Sequence, residues 1–174
     1  MLGPVGQWTF AAIVFTVEAV LLGLALAHAR TGQLEVLVWR LTRLLAVATV
    51  LVSLLAAYSA IQEITTFGYP WTRPGNLLGT YAEPTALGVG MVAVDGVAFA
   101  LAAAVAFFRP RIAIGILVII AALGAIDAVR WLFDPTAPTG NAVLALVVGP
   151  PLPALTLAAL LWSLRGPLLG TREA

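Results

Sequence analysis

The chain has 174 residues, of which 61% are hydrophobic and only 10% are charged, and its mean hydropathy is +1.04. Soluble domains carry about 25% charged residues, so the composition excludes a water-soluble fold. Nine basic and eight acidic residues leave a formal net charge of +1, which provides no basic surface for nucleic acid. We predict a single membrane domain over residues 1–174, with the lipid bilayer as its main partner.

The amino-acid inventory also restricts the cofactors. The chain has no cysteine and one histidine, which excludes disulfides, thiolate metal sites, iron–sulfur clusters and a bis-His haem held within one chain. We therefore expect no cofactor, and we expect no metal site.

Two hydrophobic runs at the start of the chain predict the first two membrane-spanning helices, each close to the roughly 20 apolar residues that a span needs. The first helix covers about residues 7–29 and contains one carboxylate, Glu18. The second covers about residues 38–62. A loop rich in aromatic residues and proline, about residues 64–85, follows it and is expected to lie at the membrane interface.

The next two runs are separated by three residues only. They predict a third helix over about 86–108, which contains Asp95, and a fourth over about 112–133, which contains Asp127 and Arg130. Residues 109–111, Arg-Pro-Arg, predict a very tight connection between the two.

The last run, about residues 142–164, predicts a fifth helix with an internal interruption. Pro150, Pro151 and Pro153 remove backbone donors near its middle, so the helix must kink or break there. Broken helices at that depth are tolerated where they are buried in protein or line a cavity, and in transporters they often form the substrate site.

The distribution of arginine predicts the orientation of this all-α, five-helix bundle. With the N-terminus outside and the C-terminus in the cytoplasm, seven of the nine arginines fall on the cytoplasmic side, as the positive-inside rule requires. We predict a multi-pass protein of the cytoplasmic membrane of a bacterium or archaeon. The five tryptophans fall near the predicted membrane surfaces, which supports the helix boundaries: Trp8, Trp39, Trp71, Trp131 and Trp162.

A parallel internal repeat of helices one and two by helices three and four is one interpretation of the pattern. Residues 17–20, Val-Glu-Ala-Val, align with residues 94–97, Val-Asp-Gly-Val, at preserved spacing to the following Leu-Ala. Chains rich in alanine, leucine and valine also match themselves by chance, so the repeat stays open at this point.

The ionisable groups within the spans are the candidate site residues, because each costs about 2.5 to 3.5 kcal/mol to insert. Glu18 and Asp95 fall near the predicted midplane, and Asp127 and Arg130 share one helical face nearer the outer surface. Two readings stay open for Glu18 and Asp95: they face each other and share a proton, or each bonds to a neighbouring helix. With the break at Pro150 and Pro151, these residues form the predicted ligand-binding site.

Three functions are compatible with this pattern. The first is binding or transport of a small hydrophobic or ionic ligand at the acidic intramembrane site. The second is a non-catalytic accessory subunit of a larger membrane complex, or a homo-oligomer. The third, ranked last because no nucleophile or metal site accompanies the acids, is an intramembrane enzyme acting on a lipid or isoprenoid.

Overall fold

A computed structural model describes residues 4–69, 86–130, 133 and 140–165, and this part of the chain is helical with no strand. Five helical stretches are long and apolar enough to cross a membrane, which confirms the predicted fold class in its coarse form. The helices are α1 (Pro4–Thr31), α2 (Glu35–Phe67), α3 (Ala86–Phe108), α4 (Pro110–Arg130), α5 (Gly140–Val147) and α6 (Pro151–Ser163).

Helix α2 is longer at both ends than its apolar run, because polar residues also fit exposed helix termini. It starts at Glu35, after a turn in which Leu34 has a left-handed backbone. Its last residue, Phe67, is followed by the capping residue Gly68, whose φ of 58° is readily adopted by glycine. The Gly68 N–H donates to the Ile64 carbonyl at 3.0 Å. Tyr69 then donates its hydroxyl to Glu63 at 2.8 Å, and this hydrogen bond raises the pKa of Tyr69. Residues 70–85 of the predicted loop lie outside the described residues.

A single residue, Arg109, connects α3 to α4, so the prediction of a very tight connection is confirmed. Its N–H donates to the Val105 carbonyl at 2.8 Å, and its own carbonyl accepts from Ala113 at 3.0 Å. The turn therefore keeps both backbone groups of Arg109 bonded, which suits a connection between two apolar helices.

The most extensive packing joins α2 to α3 through small side chains. Gly96 lies against the α2 backbone, so closely that a Cβ atom there would stand 2.7 Å from the Ser53 carbonyl oxygen. Ala57 flanks the same point, and Ala93 and Ala100 continue the buried face of α3. Small side chains next to Asp95 therefore permit the close approach of α3 to α2.

Helix α6 lies at the centre of the bundle and contacts every other helix of the described chain. Eight of its residues are buried, and they include Thr156, Leu157 and Leu160. A helix that is apolar on all sides is typical of a protein core or of a membrane span, and the contacts of α6 with the five other helices are consistent with its lack of a polar face.

The fifth predicted helix is interrupted between α5 and α6, as its prolines predict. Residues 148–150 are not helical, and the helical ladder resumes where Ala154 donates to the Pro150 carbonyl at 2.9 Å. Gly149 fits this turn because a Cβ atom would collide with the Ala145 carbonyl. On the other side, α4 approaches the break at Gly124, where a Cβ atom would lie 3.0 Å from the ring of Pro151.

The outer faces of the bundle carry the large hydrophobic side chains, whereas the buried hydrophobic residues are mostly alanine. Leu44, Leu51 and Leu123 are each more than 60% exposed. This arrangement is typical of helices that pack closely on small residues and leave their bulky side chains to lipid.

Candidate functional site

Glu18 lies in the middle of α1 and is buried, with 5% of its surface exposed. The side chain points at α6, which is the principal packing partner of α1. Leu21 and Ala25 continue the same face of α1 toward its C-terminal end and pack in one cluster with Leu160. The fold therefore places one carboxyl group inside an otherwise apolar helix interface.

Thr156 of α6 lies beside the Glu18 carboxyl and is fully buried, at 0% exposure. The Thr156 hydroxyl and the Glu18 carboxyl are close enough to interact with each other. Neither Thr156 Oγ1 nor Glu18 Oε2 makes a hydrogen bond of regular geometry among the described residues. Thr156 therefore differs from Thr42 and Ser163, whose hydroxyls donate to carbonyls of their own helices, Val38 at 2.7 Å and Leu160 at 2.8 Å.

Asp95 occupies a different side of the bundle from Glu18. It is exposed on α3 and lies within electrostatic range of Asp127 on α4, which is half-buried. Among the described residues, α1 and α3 do not contact each other at any point. The structure therefore does not bring Glu18 and Asp95 together, and of the two arrangements left open by the sequence, the face-to-face pair is absent from the described residues.

The interrupted α5–α6 segment contacts both α1, which carries Glu18, and α4, which carries Asp127. Pro150 and Pro151 pack against Gly124, which is three residues before Asp127 on α4. Arg130 is the last residue of α4, and its side chain lies outside the described residues. The sequence-predicted site residues thus form two groups that flank one interrupted helix.

Aromatic and basic side chains pair near the start of α2 and the end of α6. The Arg43 guanidinium stacks over the Trp39 ring at 4.9 Å, and Arg165 stacks over Trp162 at 5.0 Å. His28 is buried, and its ring Nδ1 donates to the Gln33 carbonyl in the turn after α1. These contacts fix the ends of three helices, and nothing in them indicates catalysis.

Thr156 is the site residue that the sequence analysis missed. A threonine in a long apolar run is ordinary, since its hydroxyl usually bonds the carbonyl four residues earlier. The available signal was its distance of five residues from Pro151, which places it on the first turns of a new half-helix. Only the packing of α1 on α6 shows that Glu18 faces it.

The chemical capacity of the site follows from its atoms. The described residues contain no group of three or more His, Asp or Glu side chains able to hold a metal ion. The described residues of α5 and α6 bear no titratable side chain, so the Glu18 carboxyl faces no second titratable group on these two helices. A carboxyl group and a hydroxyl beside each other can bind a polar ligand through hydrogen bonds.

Comparison with protein-family models, with curated proteins and with solved structures finds no match.

Proposed function

We propose that this protein spans a bilayer and binds or transports a small ligand or ion at an intramembrane site formed by Glu18, Thr156 and the α5–α6 break. The observation that carries the proposal is the burial of two unpartnered polar atoms, Glu18 Oε2 and Thr156 Oγ1, against each other's helices. Leaving a buried polar group without a partner costs about 1 to 3 kcal/mol, and more for a charged one.

The presence of two such costly polar side chains, Glu18 and Thr156, in an otherwise apolar helix interface supports a functional role for them. A leucine at position 18 would continue the face formed by Leu21 and Ala25 and would pack without penalty. Polar groups inside membrane-spanning bundles commonly mark ligand or ion pathways. Thr156 also lies five residues beyond Pro151, at the start of the second half of an interrupted helix, and discontinuous helices form substrate sites in transporters.

The position of the site along α1 suits access from either surface. Glu18 is 14 residues from Pro4 and 13 from Thr31, which is roughly 20 Å from each end of the helix. The site therefore lies near the midplane in our proposal.

Native mass spectrometry of the gently solubilised protein tests this function. We expect the wild-type chain to retain a discrete small ligand or ion, and Glu18→Gln to lose it. Asp95→Asn is the matched control, since it changes a carboxyl at similar depth on a helix that does not contact α1. If Glu18→Gln leaves ligand retention, transport and stability unchanged, the proposal is wrong.

A second candidate function, an accessory subunit of a membrane complex or a homo-oligomer, is favoured by one observation. Asp95 is exposed on α3 at the level where Gly96 meets Ser53, well inside the helix. A carboxyl facing lipid at such a depth is costly, so a partner helix would stabilise it. A defined co-purifying protein or second copy, lost in Asp95→Leu, would establish this role. A partner-free monomer would contradict it.

The proposed orientation places the N-terminus outside and the C-terminus in the cytoplasm. The α1–α2 turn, the α3–α4 turn and the end of α6 carry the exposed arginines Arg30, Arg40, Arg43, Arg109, Arg111 and Arg165. Since the chain has no cysteine, single cysteines report sidedness directly. An impermeant maleimide added outside intact cells should label Thr66→Cys and not Thr31→Cys, and the reverse pattern would invert the orientation.

The parallel repeat of helices one and two by three and four stays a prediction from sequence. In the described chain α1 packs mainly on α6, whereas α3 packs extensively on α4. The two helix pairs therefore differ in their packing, and the proposed function does not depend on a repeat.

A further inference from the structure

Asp95 lies on a face of α3 that the rest of the described chain leaves uncovered. The other residues of this face are Met91, Val94 and Ala98, which the three- and four-residue spacings of a helix bring to the same side as Asp95. All four side chains are exposed, and Met91 and Val94 have more than half of their surface exposed. We call these four residues the outward face of α3.

The Asp95 carboxyl lies far from both ends of its helix. It is nine residues from Ala86 and 13 from Phe108, roughly 14 Å and 20 Å along α3. Gly96, the next residue, packs against Ser53 in the middle of α2. Lysine and arginine near helix ends can extend to the membrane surface, whereas aspartate has a single methylene group. In a bilayer the Asp95 carboxyl therefore needs a partner at its own depth.

A second carboxyl group lies close to the outward face of α3. Asp127 of α4 is half-buried and within electrostatic range of Asp95. The arginines whose side chains the structure describes lie near helix ends or in turns, away from the middle of α3: Arg30, Arg40, Arg43, Arg109, Arg111 and Arg165. The charge that complements the outward face is therefore positive, and it has to lie near the middle of the membrane.

We propose that the outward face of α3 is a docking surface for a membrane-spanning helix of another protein that carries a lysine or arginine near its middle. This inference gives the chemistry of the partner in the second candidate function and, like that function, rests on the chain spanning a bilayer. Pairing of the two charges at one depth offsets the cost of placing either of them in lipid. Ala98 is small and lies one turn from Asp95, so the backbone of the partner helix can approach closely.

A second copy of the chain does not supply this positive charge. Contact between two outward faces would bring carboxyl groups together, and like charges repel. The described arginines of the second copy would lie at the same helix ends as in the first. Charge complementarity therefore favours a basic helix from a different protein over self-association through α3.

Disulfide crosslinking in phosphatidylcholine vesicles tests this docking, because the chain has no cysteine of its own. The full-length Ala98→Cys protein is reconstituted with a synthetic membrane-spanning peptide of leucine and alanine. The peptide has a central lysine and one cysteine a turn to each side of it, and an added oxidant converts paired thiols to disulfides. We expect the crosslinked yield to exceed that of the same peptide with a central leucine by about fivefold or more.

Three variants connect the crosslink to the outward face. Asp95→Asn in the Ala98→Cys protein should reduce the yield with the lysine peptide to that with the leucine peptide. Leu51→Cys is the control for position, since Leu51 is 63% exposed on α2, and it should crosslink equally with both peptides. Glu18→Gln in the Ala98→Cys protein should keep the preference for lysine, because α1 does not contact α3 in the described chain.

Equal yields with the lysine and leucine peptides would overturn the inference, and so would a lysine preference that survives Asp95→Asn. A disulfide between two Ala98→Cys proteins that forms without peptide and disappears in Asp95→Asn would identify a second copy as the occupant and contradict a basic partner. If the lysine preference is absent while Glu18→Gln loses a retained ligand, the docking proposal is wrong and the proposed binding function stands. The opposite pair of results would refute the function of Glu18 and support the docking surface.

Discussion

Replacing Gly96 by leucine is expected to lower the free energy of unfolding by about 3 kcal/mol. The first added atom would already lie 2.7 Å from the Ser53 carbonyl oxygen and 3.2 Å from the Ala57 Cβ. Backbone cannot move aside as the end of a side chain can, so α2 and α3 must separate. Because this is the most extensive helix pair of the described chain, the loss should appear as a lower midpoint in SDS titrations followed by circular dichroism.

Gly115→Leu is the matched control. Gly115 is also a helical glycine, on α4, and no atom lies within 4 Å of the position of its Cβ. Leucine is a better helix former than glycine, so this variant should be neutral or more stable by up to about 1 kcal/mol. Equal midpoints for the two variants would contradict the close α2–α3 contact.

The double variant Glu18→Met, Thr156→Val is expected to be more stable than the wild type in detergent, by about 2 to 4 kcal/mol. It replaces two buried polar side chains whose Oε2 and Oγ1 atoms lack hydrogen bonds of regular geometry with apolar side chains of similar size. The same variant should lose ligand retention, because the proposed site consists of these two groups. Thermal unfolding measures the stability, and native mass spectrometry measures the retained ligand.

Thr42→Val provides the comparison for that gain. The Thr42 hydroxyl is buried as well, but it donates to the Val38 carbonyl at 2.7 Å. Removing a satisfied hydrogen bond should cost about 1 kcal/mol rather than stabilise the protein. A loss of stability in the Glu18/Thr156 double variant would show that these two groups are already satisfied, and the argument from their unpartnered atoms would fail.

Much of the helix plan was predictable because its signals are local. Charges and prolines interrupt the apolar runs, so the tight connection at Arg109 and the break near Pro150 could be placed from sequence. The close approach at Gly96 was also predictable, since small residues at four-residue spacing create a groove on a helix. The ends of the helices were harder to predict where they are polar, because the apolar run marks only the middle of the helix. Helix α2, for example, extends from Glu35 to Phe67, beyond its apolar run at both ends.

The neighbours of each acid were not predictable. Helices that are apolar on all sides give no periodicity to show which face is buried, so the rotation of α1 and α3 had no sequence signal. The sequence does not distinguish the surroundings of Glu18 from those of Asp95. In the structure, Glu18 is buried against Thr156, whereas Asp95 is exposed near Asp127. The central place of α6 likewise depends on packing among helices that are distant in sequence.

The central position of α6 has a consequence for how the protein is made. Helix α1 is synthesised before α6, but it packs little on α2, and its main partner α6 follows more than 100 residues later in the chain. Until α6 has been made, the Glu18 carboxyl has no Thr156 to face. The contact that buries Glu18 can therefore form only after the chain has been extended beyond Pro151, and a chain truncated before that residue would leave the carboxyl without this neighbour.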